Sequence, residues 1–473
     1  MKNDKQNKNS IMNSQNENNR KNDNEPVTGA RSTVDTKIIP YGRQNITDED
    51  ISAVVEVLKS DYLTQGPKIA ELEHHFARYV GSKYAVAVSN GTAALHLNAL
   101  ALGVKPGDKV ITSPITFAAS ANCVRYCGGE VVFADIDPET YLLDINNVRA
   151  LLEKDINKEI KGIIPVDFAG RAVNLEAFRT LADEYGLWII QDSCHSPGGF
   201  FLDSHGTKQN CGNGNFADLA IFSFHPVKHI AAGEGGMITT NSEELYSKLL
   251  ELRTHGITKD PTQFKNPLDF AIGHANSETP VNSSPPTVYP QWYMEMQSLG
   301  YNYRLTDFQA ALGISQLKRA DQGLQRRHEI AARYHEAFKD IPQITDRNDE
   351  ASSEQFTDDN TQLTDDRLPF TDDSSQLTDD RSPQNKHAYH LYVIEVENRL
   401  GLYNYLRTKN IFAQIHYIPC HLMPYYRELG WKEGDMPQAE NYYKRCISLP
   451  MFPTLTEEEQ EFVIEKIKFF YNG

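Results

Sequence analysis

The sequence has no Cys-x-x-Cys pair, no stretch dense in Lys and Arg, and no apolar run near the roughly 18–20 residues of a membrane span. Each absence closes off a class. Six cysteines scattered singly (Cys123, Cys127, Cys194, Cys211, Cys420, Cys446) argue against a structural zinc site and against a disulfide framework, and point to a reducing, cytoplasmic setting with no metal. Without a basic stripe, and with a net charge of −17, the surface repels phosphate backbones, so nucleic acid is not an expected partner. The Asn- and Lys-rich N-terminus lacks the apolar core of a signal peptide, and no membrane association is expected.

What is present reads as a two-part α/β chain. Residues 1–36 are too polar to offset their ordering entropy and are expected to be a disordered tail. Thr47-Asp-Glu-Asp50 is a capping-box pattern, and Ile51, Val54, Val55 and Leu58 follow at helical spacing. From Tyr84 onward, short apolar strands (84–89, 110–112, 131–133, 163–166, 188–190) alternate with helical segments such as Leu175 to Tyr185. That alternation implies a mainly parallel sheet covered on both faces, with ligands at the carboxyl ends of its strands.

The expected division is a large domain over 37–320 and a smaller C-terminal α+β domain over 321–473. Residues 259–290, with Pro261, Pro267, Pro280, Pro285 and Pro286, read as a long irregular insertion. Residues 346–385 repeat Thr-Asp-Asp every seven residues. Only one position per heptad is regularly apolar, where a coiled coil needs two, so this acidic stretch reads as a second, disordered insertion.

The chain is organised around Leu219 to Thr240. An apolar strand ends at Phe224, His225-Pro226 turns, and a Gly-rich loop leads into a second strand. Between the strands stands Lys228. A lysine held on a tight turn beside packed strands loses hydration, which lowers its pKa and frees a lone pair for attack on a carbonyl. An isolated turn lysine is far more often simply solvated, so the weight falls on its companions.

Four companions fall at predicted strand ends. Asn90-Gly91-Thr92 opens a helix whose free N–H groups suit a phosphate, although Gly-Thr is also good capping sequence. Asp192, directly after Trp188-Ile-Ile-Gln191, suits a protonated ring nitrogen or, more blandly, the cap of the next turn; His195 suits a ring contact or a structural histidine. Ser223 is placed for the same phosphate. Phe117 suits a planar group, although lone aromatics after strands are more often core. Singly each is better read as structural. Jointly they supply a phosphate cradle, a ring stack, a ring-nitrogen partner and an imine lysine, the parts that pyridoxal 5'-phosphate requires.

Residues 39–341 resemble the DegT/DnrJ/EryC1/StrS sugar aminotransferases of pyridoxal-phosphate fold type I. The matching segments are Ser89-Asn-Gly-Thr-Ala-Ala-Leu95, Pro114-Ile-Thr-Phe117, Gln191-Asp-Ser-Cys-His195, Phe222-Ser-Phe-His-Pro-Val-Lys-His229, Gly233-Glu-Gly-Gly236 and Gly300-Tyr-Asn-Tyr-Arg-Leu-Thr-Asp307. Ile39-Pro-Tyr-Gly-Arg-Gln44, Leu63-Thr-Gln-Gly66 and Ile415-His-Tyr-Ile-Pro-Cys-His421 look most like the branch that makes pseudaminic acid precursors. The resemblance implies a large mixed-sheet domain with a smaller C-terminal α+β domain. It implies that Lys228 bonds to the cofactor, Asp192 holds the ring nitrogen, Gly91, Thr92 and Ser223 hold the phosphate, and Phe117 and His195 flank the ring. It also implies that Asn302 reaches the cofactor of a partner subunit in a homodimer. Tyr41, Leu63, Thr64, Gln65 and Gly66, with Ile415, His416, Tyr417 and Ile418, would line a nucleotide-sugar site. The acidic heptads, the Asn-rich tail and the 259–290 stretch depart from the family pattern.

The expected activity is amination of C4 of a UDP-linked 4-keto-6-deoxy-N-acetylhexosamine, with L-glutamate as amino donor. The alternatives are an aminotransferase for another 4-keto or 3-keto nucleotide sugar, a dehydratase, and a catalytically silent binding protein. Dehydratases of the family carry His at the position of Lys228. A silent homologue has no need of Lys228, Asp192 and Asn302 together.

Overall fold

The computed structural model describes residues 37–272, 288–348 and 387–472. The expected N-terminal tail, and all but the first three residues of the acidic insertion, therefore lie outside the described residues.

Seven strands form the central sheet: β1 (Tyr84–Val88), β2 (Lys109–Thr112), β3 (Glu130–Phe133), β4 (Ile160–Ile164), β5 (Trp188–Asp192), β6 (Leu219–Ser223) and β7 (Gly236–Thr240). Their order across the sheet is β1-β7-β6-β5-β4-β2-β3. Only β7 runs against its neighbours β1 and β6, and the other pairs are parallel. Central strand residues such as Val86, Ile111, Ile163, Ile189 and Ile221 are fully buried. Helices cover both faces, so these runs are continuously apolar instead of alternating. Because β1 shares the direction of β5 and β6, Asn90, Asp192 and Ser223 all fall at one edge of the sheet.

Helix ends follow local chemistry. Thr47 and Asp50 form a reciprocal capping box on the helix Asp48–Leu58, as their spacing predicts. Thr306 and Gln309 do the same for Asp307–Leu317. A separate helix, Ala320–Phe338, follows it.

A second apolar core surrounds a three-stranded antiparallel sheet of β8 (Ile344–Asp346), β9 (Tyr392–Val396) and β10 (Cys446–Leu449). The first described strand, Ile39–Pro40, pairs in parallel with Ile411–Phe412, which buries Ile39 in this second core. Sequence order had grouped it with the large domain.

Two expectations about the insertions need correction. The 259–290 stretch is not irregular throughout. Its described part carries a 3-10 turn at Pro261–Gln263 and a one-turn helix at Leu268–Ala271. Phe264, Tyr289 and Tyr293 pack with ring centroids 4.7 to 5.4 Å apart, and Glu295 accepts from the N–H groups of Lys265 and Asn266. Those aromatic and carboxyl anchors outweigh the proline signal. Likewise the acidic insertion does not begin at 346. Asp346 closes β8, and buried Asn348 donates 2.7 Å to the Val393 carbonyl. Across the gap Tyr389 donates its hydroxyl to the Asn348 carbonyl at 3.0 Å, so the flanks of residues 349–386 lie side by side.

Candidate active site

A cavity of about 670 Å³ opens at the edge where these strands end. Its floor begins with Asn90, whose side chain accepts from the Ala93 N–H at 2.8 Å and caps the helix Gly91–Ala101. The first-turn amides of that helix have no intrahelical acceptor, and Gly91 and Thr92 both line the cavity. A Cβ at Gly91 would stand 3.1 Å from the Ser223 Cβ and fill the gap between helix end and strand end. Glycine at 236 has a similar cause: a Cβ there would come within 2.7 Å of the Asn90 backbone.

Lys228 enters from the loop between β6 and β7. The loop is pinned by Phe224 N–H to the Gly235 carbonyl and Ala232 N–H to the Phe224 carbonyl, both at 2.8 Å. A turn bond from Lys228 N–H to the His225 carbonyl, 2.9 Å, sets the lysine's own backbone. Its Nζ lies 3.4 Å from His390 Nε2. Burial lowers the Lys228 ammonium below its ordinary range; Cys194 and Asp192 oppose that shift and the Arg327 guanidinium adds to it. The imidazoles around it are held neutral. Burial, then the field of Lys228, pushes His195 and His390 well below the usual value and His416 down to about 3.

Asp192, 4% exposed at the end of β5, accepts from Ser120 Oγ at 2.6 Å and from the Cys194 N–H at 3.1 Å. The loop after it is anchored by a second aspartate. Asp167 is completely buried and accepts from Gln191 Nε2, Ser193 Oγ, Ser196 Oγ and the Val173 N–H. Burial pushes its carboxyl up to about 6, against the bonds from Ser196, Val173, Ser193 and Cys211. The Ala169 N–H donates to His195 Nδ1 at 3.2 Å, so neutral His195 carries its proton on Nε2, facing the Tyr417 hydroxyl at 3.3 Å.

Of the residues singled out by sequence, Tyr41, Gly91, Thr92, Phe117, Asp192, His195, Ser223, Lys228, His416 and Tyr417 line this one cavity. Phe117 stands at it with 63% of its surface exposed. Others do not reach it. Leu63 is exposed and its carbonyl accepts from the Asp307 N–H, while Gly66 caps the helix Pro67–Val80, whose first amides bond to the Asp307 carboxyl. Thr64 and Gln65 lie exposed between them. Ile415 packs between the two apolar cores, and Ile418 is half exposed away from the cavity. Asn302 is exposed and bridges to Thr254, while its neighbour Tyr303 lines the cavity.

Sequence reasoning missed Ser120 and His390. Ser120 carries a weak signal as a polar residue on the buried face of the helix Ala119–Tyr126. His390 lies 162 residues from Lys228, and no spacing could connect them.

One lysine of lowered pKa, a buried carboxyl and a helix N-terminus thus share one cavity. The chain belongs to the DegT/DnrJ/EryC1/StrS aminotransferase family, whose profile matches residues 44–367 and 358–468. It is 36% identical over 443 residues to the spore coat polysaccharide biosynthesis protein SpsC of Bacillus subtilis, covering 92% of this chain and 97% of that one. Its fold is similar to PseC of Helicobacter pylori, an aminotransferase involved in the biosynthesis of pseudoaminic acid. The TM-score there is 0.72 at 28% identity, covering 92% of this chain and 99% of that one. The sugar aminotransferase Spr1654 of Streptococcus pneumoniae, described as putative, is similar in its pyridoxal phosphate form, with TM-score 0.71 at 26% identity, over 92% of this chain and 98% of that one. The protein is thus an aminotransferase with the fold of the pyridoxal-phosphate enzymes.

The residues present fit that cofactor. The space a Gly91 side chain would fill lies between free helix amides and Ser223, which suits a phosphate. Asp192 and Lys228 face the same volume.

Proposed function

We propose that this aminotransferase aminates C4 of a UDP-linked 4-keto-6-deoxy-N-acetylhexosamine, with L-glutamate as amino donor, to supply pseudaminic acid synthesis. The observation that carries the reading is a single cavity in which Lys228, Asp192 and Ser223 face an aromatic wall of Tyr41, His416 and Tyr417. The similarity to PseC over 92% of the chain supports the choice of sugar.

Pyridoxal phosphate supplies an aldehyde for the amine and a ring that draws off charge. The protein's residues do the rest. Gly91, Thr92 and Ser223 bind the phosphate, and Phe117 and His195 confine the ring. Asp192 holds a proton on the ring nitrogen. Lys228 Nζ would hold the cofactor at rest and, when free, would take the proton from the donor's α-carbon and return one to the sugar's C4. Burial lowers the Lys228 ammonium below its ordinary range, the direction a base requires. Neutral His195 and Tyr417, joined at 3.3 Å, add a wall that brings no opposing charge to the site.

Asn302 lies outside the cavity of its own chain on an exposed turn, which supports the reading that it completes the site of a second subunit in a homodimer. The same role for 63–66 accounts for that loop's distance from its own cavity. The similarity to SpsC, a spore coat polysaccharide protein, favours a second reading in which another nucleotide-linked ketosugar is the substrate.

The test is a panel of UDP-4-keto and UDP-3-keto sugars offered to the cofactor-loaded protein with glutamate, followed by proton NMR of the product. Amine at C4 of the 6-deoxy-N-acetylhexosamine is expected, with Lys228→Ala reducing turnover by roughly 10⁴–10⁶-fold. Preferred turnover of a 3-keto sugar selects the second reading. A Lys228→Ala protein of full activity removes both.

A further inference from the structure

A second cavity, of about 400 Å³, shares Lys228 with the first but none of Gly91, Thr92 and Ser223, so the cofactor phosphate is not its occupant. Its wall is mostly guanidinium and amide groups, Arg43, Arg326 and Arg327 with Asn45, Gln322 and Gln325, and includes one carboxylate, Glu329. Two of the lining cations are accounted for. Arg319 pairs with Asp50, and Arg326 pairs with Glu329 at 2.8 Å.

Arg43 and Arg327 have no carboxylate partner among the described residues. The Arg43 guanidinium lies 5.6 Å from the Phe452 ring centroid, a contact that leaves its N–H donors unspent. Arg327 is 1% exposed, donates through Nη1 to the carbonyls of Tyr389, His390 and Met451 at 3.0 to 3.2 Å, and has a buried Nε with no acceptor. A buried charge without a counter-charge is costly, and backbone carbonyls offset only part of that cost. Two uncompensated guanidiniums and three side-chain amides around one polar cavity are what a small oxyanion needs.

We propose that this cavity is an anion site that binds a small oxyanion through Arg43 and Arg327. The oxyanion has two possible sources: the carboxylate of a dicarboxylic amino donor or its 2-oxo acid product, or free inorganic phosphate. Because the cavity shares Lys228, its occupant sits beside the reacting lysine and offsets the Arg327 field there. The proposal does not rest on the identity of the sugar.

Cofactor-loaded protein titrated calorimetrically with inorganic phosphate, and separately with succinate, tests it. Succinate carries two carboxylates but neither amine nor ketone, so it cannot react. At least one of the two should bind saturably. Arg43→Ala and Gln325→Glu, both at exposed positions, should each weaken it by roughly ten- to a hundredfold, the weight of a charge-assisted hydrogen bond. Preference for succinate identifies the amino-acid side of the reaction as the source, and preference for phosphate identifies the free ion. Absence of saturable binding by either anion, or binding that both substitutions leave unchanged, overturns the site.

Discussion

The ends of β4 and β5 lie side by side, and each carries a buried aspartate put to opposite use. Asp167, three residues past β4, accepts from four donors, three of them on Oδ2, and does not line the cavity. Asp192, the last residue of β5, keeps two donors and faces the cavity. The first carboxyl takes four donors and ties the loop after β5 to the sheet; the second takes two and lines the cavity. A buried polar group without its full set of partners is expensive, so the shortfall at Asp192 is the more informative of the two. The two are linked in sequence as well. The Gln191-Asp-Ser-Cys-His-Ser196 segment donates to Asp167 from Gln191, Ser193 and Ser196 while presenting Asp192 and His195 on its other side.

The largest effect expected from this contrast is at Asp192. Asp192→Asn keeps the shape and one acceptor oxygen for the Cys194 N–H, turns its amide N–H toward the Ser120 hydroxyl, which can accept it, and cannot hold a proton on a ring nitrogen. Turnover should fall by roughly 10²–10⁴-fold, the span for one positioned proton-holding group, with the melting temperature nearly unchanged. If stability falls with turnover, Asp192 is a structural anchor like its neighbour, and the contrast fails.

Asp167 should make stability depend on pH. Its carboxyl is raised to about 6, above an ordinary value near 4, so the folded state retains a proton that the unfolded state releases. The stability from this group is present in full below about pH 4 and is lost as pH rises through about 6, by on the order of 2–3 kcal/mol. Asp167→Asn does not titrate. The difference in unfolding free energy between wild type and Asp167→Asn, followed by urea denaturation, should therefore decline from about pH 4 to 7. Taking the difference cancels the opposite trend of the buried histidines. A flat difference would mean that the four donors keep Asp167 ionised despite burial.

This pair also marks the limit of what the sequence discloses. Asp192 was legible because an apolar run, Trp188-Ile-Ile, ends on it, and strand ends collect ligands in parallel sheets. Gly91, Thr92, Ser223 and Lys228 were legible for the same local reason. Asp167 is also just past an apolar run, yet nothing local says that its side chain turns to Ser193 and Ser196 and not to the cavity. That direction is decided by 310-type backbone at Phe168–Gly170, where Ala169 adopts φ 59°. His390 and the position of Ile39 depend on pairing across the chain, which no local pattern encodes. The order of 261–271 escaped because proline content was weighed without the aromatic contacts of Phe264, Tyr289 and Tyr293.

The smallest effect concerns how Asp192 is aimed. Ser120 Oγ lies 2.6 Å from Asp192 Oδ2, 2.8 Å from Thr116 Oγ1 and 3.3 Å from the Phe117 carbonyl. A hydroxyl has one proton to give. The shortest contact claims it, so Ser120 donates to Asp192 while the Thr116 hydroxyl donates to Ser120. Both residues are buried at the cavity lining, and this relay fixes the carboxyl plane. Ser120→Ala removes one hydrogen bond worth about 0.5–1.5 kcal/mol and should lower turnover roughly two- to tenfold. The same loss would follow from a merely damaged helix, so the deciding measurement is a double-mutant cycle. In an Asp192→Asn background the added Ser120→Ala change should cost almost nothing further in turnover, because there is no longer a carboxyl to aim. Equal costs in both backgrounds would show that Ser120 supports the helix Ala119–Tyr126 and not the carboxyl, leaving Asp192 aimed by the Cys194 amide alone.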